Sequence, residues 1–169
     1  MGSCIALNIK GYNAILREMG CGMIEGLDHI NIVVSDLERA KRFFEMFGFT
    51  EIDASELRGE WISTIVKLKG VVARYVALAL PASELRIELI KYENPASVKA
   101  PDLGKANKIG LRHLAFRVND IEKEVERLKR NGVEFLSEVM VYKKLGKKLV
   151  YFCGPDGILL ELAEYSSDN

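Results

Sequence analysis

Two stretches of this chain spell nearly the same thing: GLDHINIVVSDLE at residues 26–38 and GLRHLAFRVNDIE at residues 110–122. With a shift of 84 residues (113 − 29), Leu27 meets Leu111, His29 meets His113, Val34 meets Val118, Asp36 meets Asp120 and Gly48 meets Gly132, without a gap. The chain has 2 histidines, and both fall at the same place in the repeat. Similarity at a long fixed offset is the mark of a duplicated module.

Each copy reads as a strand followed by a helix. Ile30, Ile32 and Val34 alternate with His29, Asn31 and Val33, and Leu114, Phe116 and Val118 alternate with His113, Ala115 and Arg117. A period of two places the apolar members on one face of a strand and each histidine on the other. Ser35 with Glu38, and Asn119 with Glu122, predict capping boxes at the helix starts. Leu37, Ala40, Phe43, Phe44 and Phe47 form one apolar helical stripe; Ile121, Val125 and Leu128 form the other. Gly48 and Gly132 stand where a helix ends on a left-handed residue.

The copies also end alike, in LRIELIKYE around Glu88 and ILLELAEYS around Glu161. Aligned on these glutamates, Ile87 meets Leu160, Leu89 meets Leu162 and Tyr92 meets Tyr165. GPDG at residues 154–157 is a turn with Pro at its second position, so KKLVYFC and ILLELAE read as a hairpin. Histidine and glutamate are 59 residues apart in the first copy (88 − 29) and 48 in the second (161 − 113). The surplus falls on GEWISTIVKLKG, whose Trp61, Ile62, Ile65, Val66 and Leu68 follow a helical period: a short inserted helix, placed to cover a site. The boundaries that result are an N-terminal extension at residues 1–25 and one domain at 26–165, with module one at 26–95 and module two at 109–165.

Composition narrows the function classes. Hydrophobic residues make up 49% and charged residues 28% of 169, ordinary values for a soluble globular chain. Lys+Arg and Asp+Glu both number 24, so no net field draws the chain to nucleic acid or to an acidic membrane. The 3 cysteines include no C-x-x-C pair, and an odd count suits a reducing cytoplasm better than a disulfide framework. No apolar run approaches the ~20 residues of a membrane span. Residues 1–25 lack the pattern of a signal peptide, miss the myristoylation motif at Ala6, and allow a short helix around Ala14 to Met19.

His29, Glu88, His113 and Glu161 are the same two residue types at equivalent places in two copies, each on the face away from the predicted helix. Singly, each has a bland reading, since a strand histidine usually just finds a hydrogen bond. Together, an imidazole pair and a carboxylate pair suit a divalent transition metal and leave positions open for water or substrate. A closed structural zinc site would favour cysteine.

This doubled His…Glu pattern resembles the vicinal oxygen chelate superfamily, which includes glyoxalase I, methylmalonyl-CoA epimerase, extradiol dioxygenases, fosfomycin-resistance enzymes and bleomycin-binding proteins. The resemblance spans about residues 26–165. It implies an α+β fold of two tandem βαβββ modules forming a cup-shaped mixed sheet with helices outside, and one divalent ion (nickel, cobalt or zinc, with manganese or iron as further options) on His29, Glu88, His113 and Glu161. It also implies a small-molecule substrate and a homodimer, with the site formed within one chain or between two.

Among members, a glyoxalase-like or epimerase-like reading is favoured: an isomerase or lyase that moves a proton next to a carbonyl through an enediolate or enolate. The substrate would be a small 2-oxo acid derivative, a hemithioacetal or an acyl thioester. Glu161, or with nearly equal claim Glu88, carries the proton. Arg86, on the face of Glu88, is placed to hold a substrate acid group, and Asn31 and Trp61 are further substrate contacts. Lys143, Lys144, Lys147 and Lys148 are placed to meet CoA phosphates, or are simply a solvated hairpin tip. An iron(II) extradiol-type dioxygenase would use His29, His113 and Glu161, but needs a further histidine that this chain does not have and leaves Glu88 unexplained. A drug-sequestering protein is the non-catalytic alternative; it has no need of four intact ligands.

Overall fold

The computed structural model describes residues 26–81 and 83–166. The extension at residues 1–25, with its suggested helix, lies outside them. Module one runs β1 (His29–Val33), α1 (Leu37–Glu45), β2 (Thr50–Arg58), α2 (Glu60–Val66), β3 (Val72–Ala79) and β4 (Arg86–Asn94). Module two runs β5 (His113–Arg117), α3 (Ile121–Arg130), β6 (Met140–Tyr142), β7 (Lys147–Cys153) and β8 (Leu159–Tyr165). Both are βαβββ units, and α2 is the predicted insertion. Each forms its own four-stranded mixed sheet, ordered β1-β4-β3-β2 and β5-β8-β7-β6, so there are two sheets rather than one continuous sheet. In each, the first strand pairs in parallel with the last, and the remaining pairs are antiparallel.

The alternation read in the sequence sets which face is covered. Ile32, Val34, Ile87, Leu89, Val76 and Leu78 are buried against Leu37, Ala40 and Phe44 of α1. Val150, Phe152, Leu160 and Leu162 are buried against Ile121, Val125 and Leu128 of α3. The opposite, open face of each sheet carries the histidines and glutamates. The two covered faces meet along a seam of aromatic rings: Phe47, just past α1, stacks on Phe152 at 5.6 Å between centroids and lies 5.1 Å from Phe116. Polar ties reinforce the seam, with Arg127 Nη2 donating to the Met46 carbonyl at 2.8 Å and the Ser35 amide donating to Asp156 Oδ2 at 2.8 Å.

The helix starts are displaced from the expected caps by one residue. Asp36, not Ser35, caps α1 by accepting from the Arg39 amide at 2.9 Å, and Asp120, not Asn119, caps α3 by accepting from the Lys123 amide at 3.1 Å. Ser35 is already occupied: its amide and its hydroxyl both donate to Asp156, in the turn of the other module. The glycine ends are as read, with Gly48 at φ +85° and Gly132 at +81°. Helix α2 packs on the open face of module one, its Ile62 buried with Ala73 and Ile90. Only Ile62 of its apolar stripe is fully buried, and Trp61 and Ile65 remain 57% and 68% exposed.

Candidate metal and substrate site

The strand registers bring each histidine to its glutamate. In module one His29 stands opposite Arg86 and Asn31 opposite Glu88; in module two His113 stands opposite Leu159 and Ala115 opposite Glu161. Partners across a ladder share a face, so each histidine lies one diagonal step from its glutamate. His29 Nε2 is 3.3 Å from Glu88 Oε2, and His113 Nε2 is 3.3 Å from Glu161 Oε2.

That spacing bears on metal binding. With bonds of about 2.0–2.2 Å, neighbouring ligands of one ion stand roughly 3–3.5 Å apart. Each pair therefore fits half of a four-ligand set, in donor type and in spacing. The two pairs remain separate within the chain: among the described residues no group of three or more His, Cys, Asp or Glu side chains is arranged to hold an ion.

The surroundings of the pairs differ. Asp28 Oδ2 accepts from His29 Nδ1 at 2.7 Å, and Asp28 Oδ1 takes an ion pair from Arg86. This carboxylate holds the imidazole with Nε2 toward Glu88, the outer arrangement that metal-binding histidines commonly have. The hydrogen bonds from His29 and Arg86 also hold the Asp28 carboxyl below the usual carboxylate range. Arg86 is thereby committed to Asp28, while Asn31 is exposed beside His29. Trp61 stands exposed on α2. Farther along the same face, Tyr75 donates to Asp53, and this bond is the main cause that raises its phenol's pKa.

In module two the glutamate is sealed in. Glu161 is 2% exposed, and Lys147, itself 17% exposed, places Nζ 2.5 Å from Glu161 Oε1. The contact is a close ion pair rather than a well-directed hydrogen bond, because Oε1 has no donor in hydrogen-bonding geometry. Glu161 raises the Lys147 ammonium's pKa against the effect of burial. Tyr151 stands opposite Glu161 in the ladder and meets the His113 ring edge-on at 5.2 Å; burial first, then the Glu161 charge, pushes its phenol up.

Asp28 and Lys147 are the two neighbours whose roles sequence reasoning missed. Lys147 was grouped with the hairpin lysines, yet counting back by twos from Tyr151 puts it on the Glu161 face. Lys148 points the other way, to Glu122 and Glu164. A cleft of about 450 Å³ lies where the modules meet, with Asn31 of β1 and His113 of β5 on its wall and Ile32, Leu103, Leu111 and Ile158 among its apolar lining. No helix among the described residues is long and apolar enough to cross a membrane.

Comparison with known proteins agrees with this geometry. The chain is 31% identical to the Bacillus subtilis (strain 168) "Uncharacterized protein YwkD" over 145 residues, covering 84% of this chain and 98% of that one. It is 28% identical over 144 residues to the mitochondrial methylmalonyl-CoA epimerase of Homo sapiens, covering 82% of this chain and 73% of the epimerase. Its fold matches the crystal structure of a glyoxalase family protein from Bacillus cereus with a TM-score of 0.78 and 30% identity, over 85% of this chain and 96% of that one. A family model, described as the glyoxalase/bleomycin resistance protein/dioxygenase superfamily, matches residues 26–162. The chain belongs to that superfamily.

Proposed function

We propose that this protein is a metal-dependent isomerase or lyase that moves a proton next to a carbonyl, and that His29, Glu88, His113 and Glu161 together hold one divalent ion. The observation that carries the proposal is the pair of matched His–Glu contacts, both 3.3 Å, on the open faces of duplicated sheets. Likeness to the human epimerase supports the reaction class. Nickel, cobalt or zinc suits the donor set best. A Lewis acid at such a site lowers the cost of negative charge developing beside a carbonyl.

The residues divide the work. His29, oriented by Asp28, and His113 supply neutral nitrogen donors. Glu161, buried and paired with Lys147, is a fixed ligand. Glu88 is the freer carboxylate, with its side chain 29% exposed and His29 as its ionic partner, so it takes the proton in this reading, although Glu161 has the first claim from sequence. The apolar cleft beside Asn31 and His113 suits a small-molecule substrate. The odd cysteine count supports a reducing, cytoplasmic setting.

The separation of the pairs within one chain supports a homodimer in which module one of one copy faces module two of the other. Exposed apolar side chains near the open faces, including Val33, Met140, Val141 and Tyr142, support such a partner. The test is complementation. A dimer of His29→Ala and His113→Ala chains contains one doubly damaged and one intact site if sites span two copies, so the heterodimer should bind metal at half the wild-type stoichiometry and an equal, randomly paired mixture at about a quarter of it. No restoration would place each site within one chain. Elemental mass spectrometry of the wild type should find about one ion per chain, and proton exchange in deuterated water should be seen with an acyl thioester, a hemithioacetal or a 2-oxo acid. Absence of metal after incubation with divalent ions would overturn the proposal.

A further inference from the structure

The half-sites match in ligands but not in charge. The residue opposite Tyr165 in the β7–β8 ladder is Lys147, whereas the residue opposite Tyr92 in the β3–β4 ladder is Ala73. Lys147 therefore adds a positive charge that duplication did not supply to module one. Its ammonium lies over the Tyr165 ring at 5.7 Å, and its ionic partner is Glu161. The ion pair balances the pocket only while the Glu161 charge belongs to Lys147.

A charge count shows what a loaded site needs. As ligands, His29 and His113 are neutral, while Glu88 and Glu161 together carry two negative charges that a divalent ion cancels. The Lys147 charge is then left over in a place 17% exposed to water. Other charges on the open faces do not offset it. Arg86 is matched by Asp28. Arg117 lies over the Tyr165 ring at 4.9 Å and Asp53 accepts from Tyr75, and their charges are opposite. A partly desolvated cation without its counter-charge is costly, so an anionic ligand is favoured over a neutral one of the same shape.

We infer that Lys147 is an anion-binding residue, and that the substrate carries a carboxylate directly beside the carbon that exchanges its proton. The inference rests on the metal reading above and narrows its substrate range. Substrates with an acid group at the reacting end are selected, and neutral hemithioacetals are disfavoured. Lys147 thus takes the acid-binding role that the sequence suggests for Arg86, which Asp28 occupies.

The test uses the full-length protein loaded with cobalt(II), and two planar probes of equal size: oxalate, a dianion, and oxamide, its uncharged counterpart. Calorimetric titration should show oxalate binding more tightly than oxamide in the wild type. Lys147→Met and Lys147→Gln should each weaken oxalate about tenfold to a hundredfold, leave oxamide unchanged, and bind cobalt(II) at least as tightly as before. Lys147→Arg should retain oxalate binding. If Lys147→Met fails to fold, Lys147→Gln, which keeps a hydrogen-bond donor but no charge, decides the matter. Unchanged oxalate affinity in a folded, cobalt-loaded Lys147→Gln protein would overturn this inference alone. Failure of the wild type to bind cobalt(II), seen as absence of its d–d absorption, would overturn the metal reading and this inference with it.

Discussion

The two half-sites descend from one design and have been finished differently. In module one the histidine is secured: Asp28 holds His29, Arg86 holds Asp28, and Glu88 is left partly open. In module two the glutamate is secured: Lys147 and Tyr151 close over Glu161, while His113 follows Arg112, whose Nε donates to the Gly110 carbonyl instead. The glutamate-facing residue is Ala77 in one copy and Tyr151 in the other. Duplication supplies the matched histidines and glutamates, and divergence decides which of them stays still. One fixed and one freer carboxylate is what a site needs if it must both keep an ion and move a proton.

The most severe way to break the comparison is to remove a ligand. His113→Ala should abolish metal binding while leaving the fold intact, because the His113 side chain is 35% exposed and lies outside both main core clusters. Inductively coupled plasma measurement of the bound ion, alongside circular dichroism, checks this. Undiminished metal content in the variant would remove His113 from the site.

Stability of the metal-free protein distinguishes the carboxylates next. Glu161→Ala strands the Lys147 ammonium in a mostly buried place, and loss of one member of such a pair costs about 3 kcal/mol. Glu88→Ala gives up a contact with a half-exposed His29 and should change stability by no more than about 0.5 kcal/mol. Urea unfolding of the two variants measures the difference. Equal losses would mean that the burial of Glu161 contributes nothing that Glu88 lacks.

What the sequence reveals and what it conceals follow the same division. The repeat, the strand faces, the inserted helix and the glycine ends are set by local periodicity, and they appear where the pattern puts them. The helix caps are off by one because Ser35 is claimed by Asp156, 121 residues away, a contact that no local motif reports. The pairing of each histidine with its own glutamate follows from parallel ladders between the first and last strands of a module. Lys147 was hidden by its neighbours: in a run of lysines, only strand register separates the one facing Glu161 from those facing water. Asp28 was hidden differently, since a residue next to a histidine in a strand would ordinarily point to the other face.

Asp28 provides a gentler probe of the asymmetry. Asp28→Ala should weaken metal affinity about tenfold, the lower end of what loss of an outer carboxylate costs a histidine ligand. Arg112→Ala, at the equivalent place in module two, should leave affinity unchanged. Competition against a chromophoric chelator reads both. A matching loss in Arg112→Ala would show that the two histidines are held by equivalent means.

The smallest effect is the pH dependence that comes from the Lys147–Glu161 pair of module two. Glu161 raises the Lys147 pKa above its ordinary 10.5 in the folded chain. A basic group with a raised folded-state pKa stabilises the fold fully below its unfolded value, and that contribution fades as pH rises through the folded value. Wild-type stability should therefore hold up to about pH 10.5 from this source and decline above it. In Lys147→Arg the guanidinium stays charged throughout this range, so the variant keeps its ion pair. The stability difference between the two proteins should be flat below the ordinary lysine value and shift in favour of Lys147→Arg above it. Tyr151, whose phenol is also pushed up, destabilises both proteins alike at high pH and drops out of the difference. Chemical unfolding at a series of pH values through this range gives the curve. A flat difference throughout would mean that the Lys147–Glu161 contact carries no net coupling, and that module two secures its glutamate by burial rather than by charge.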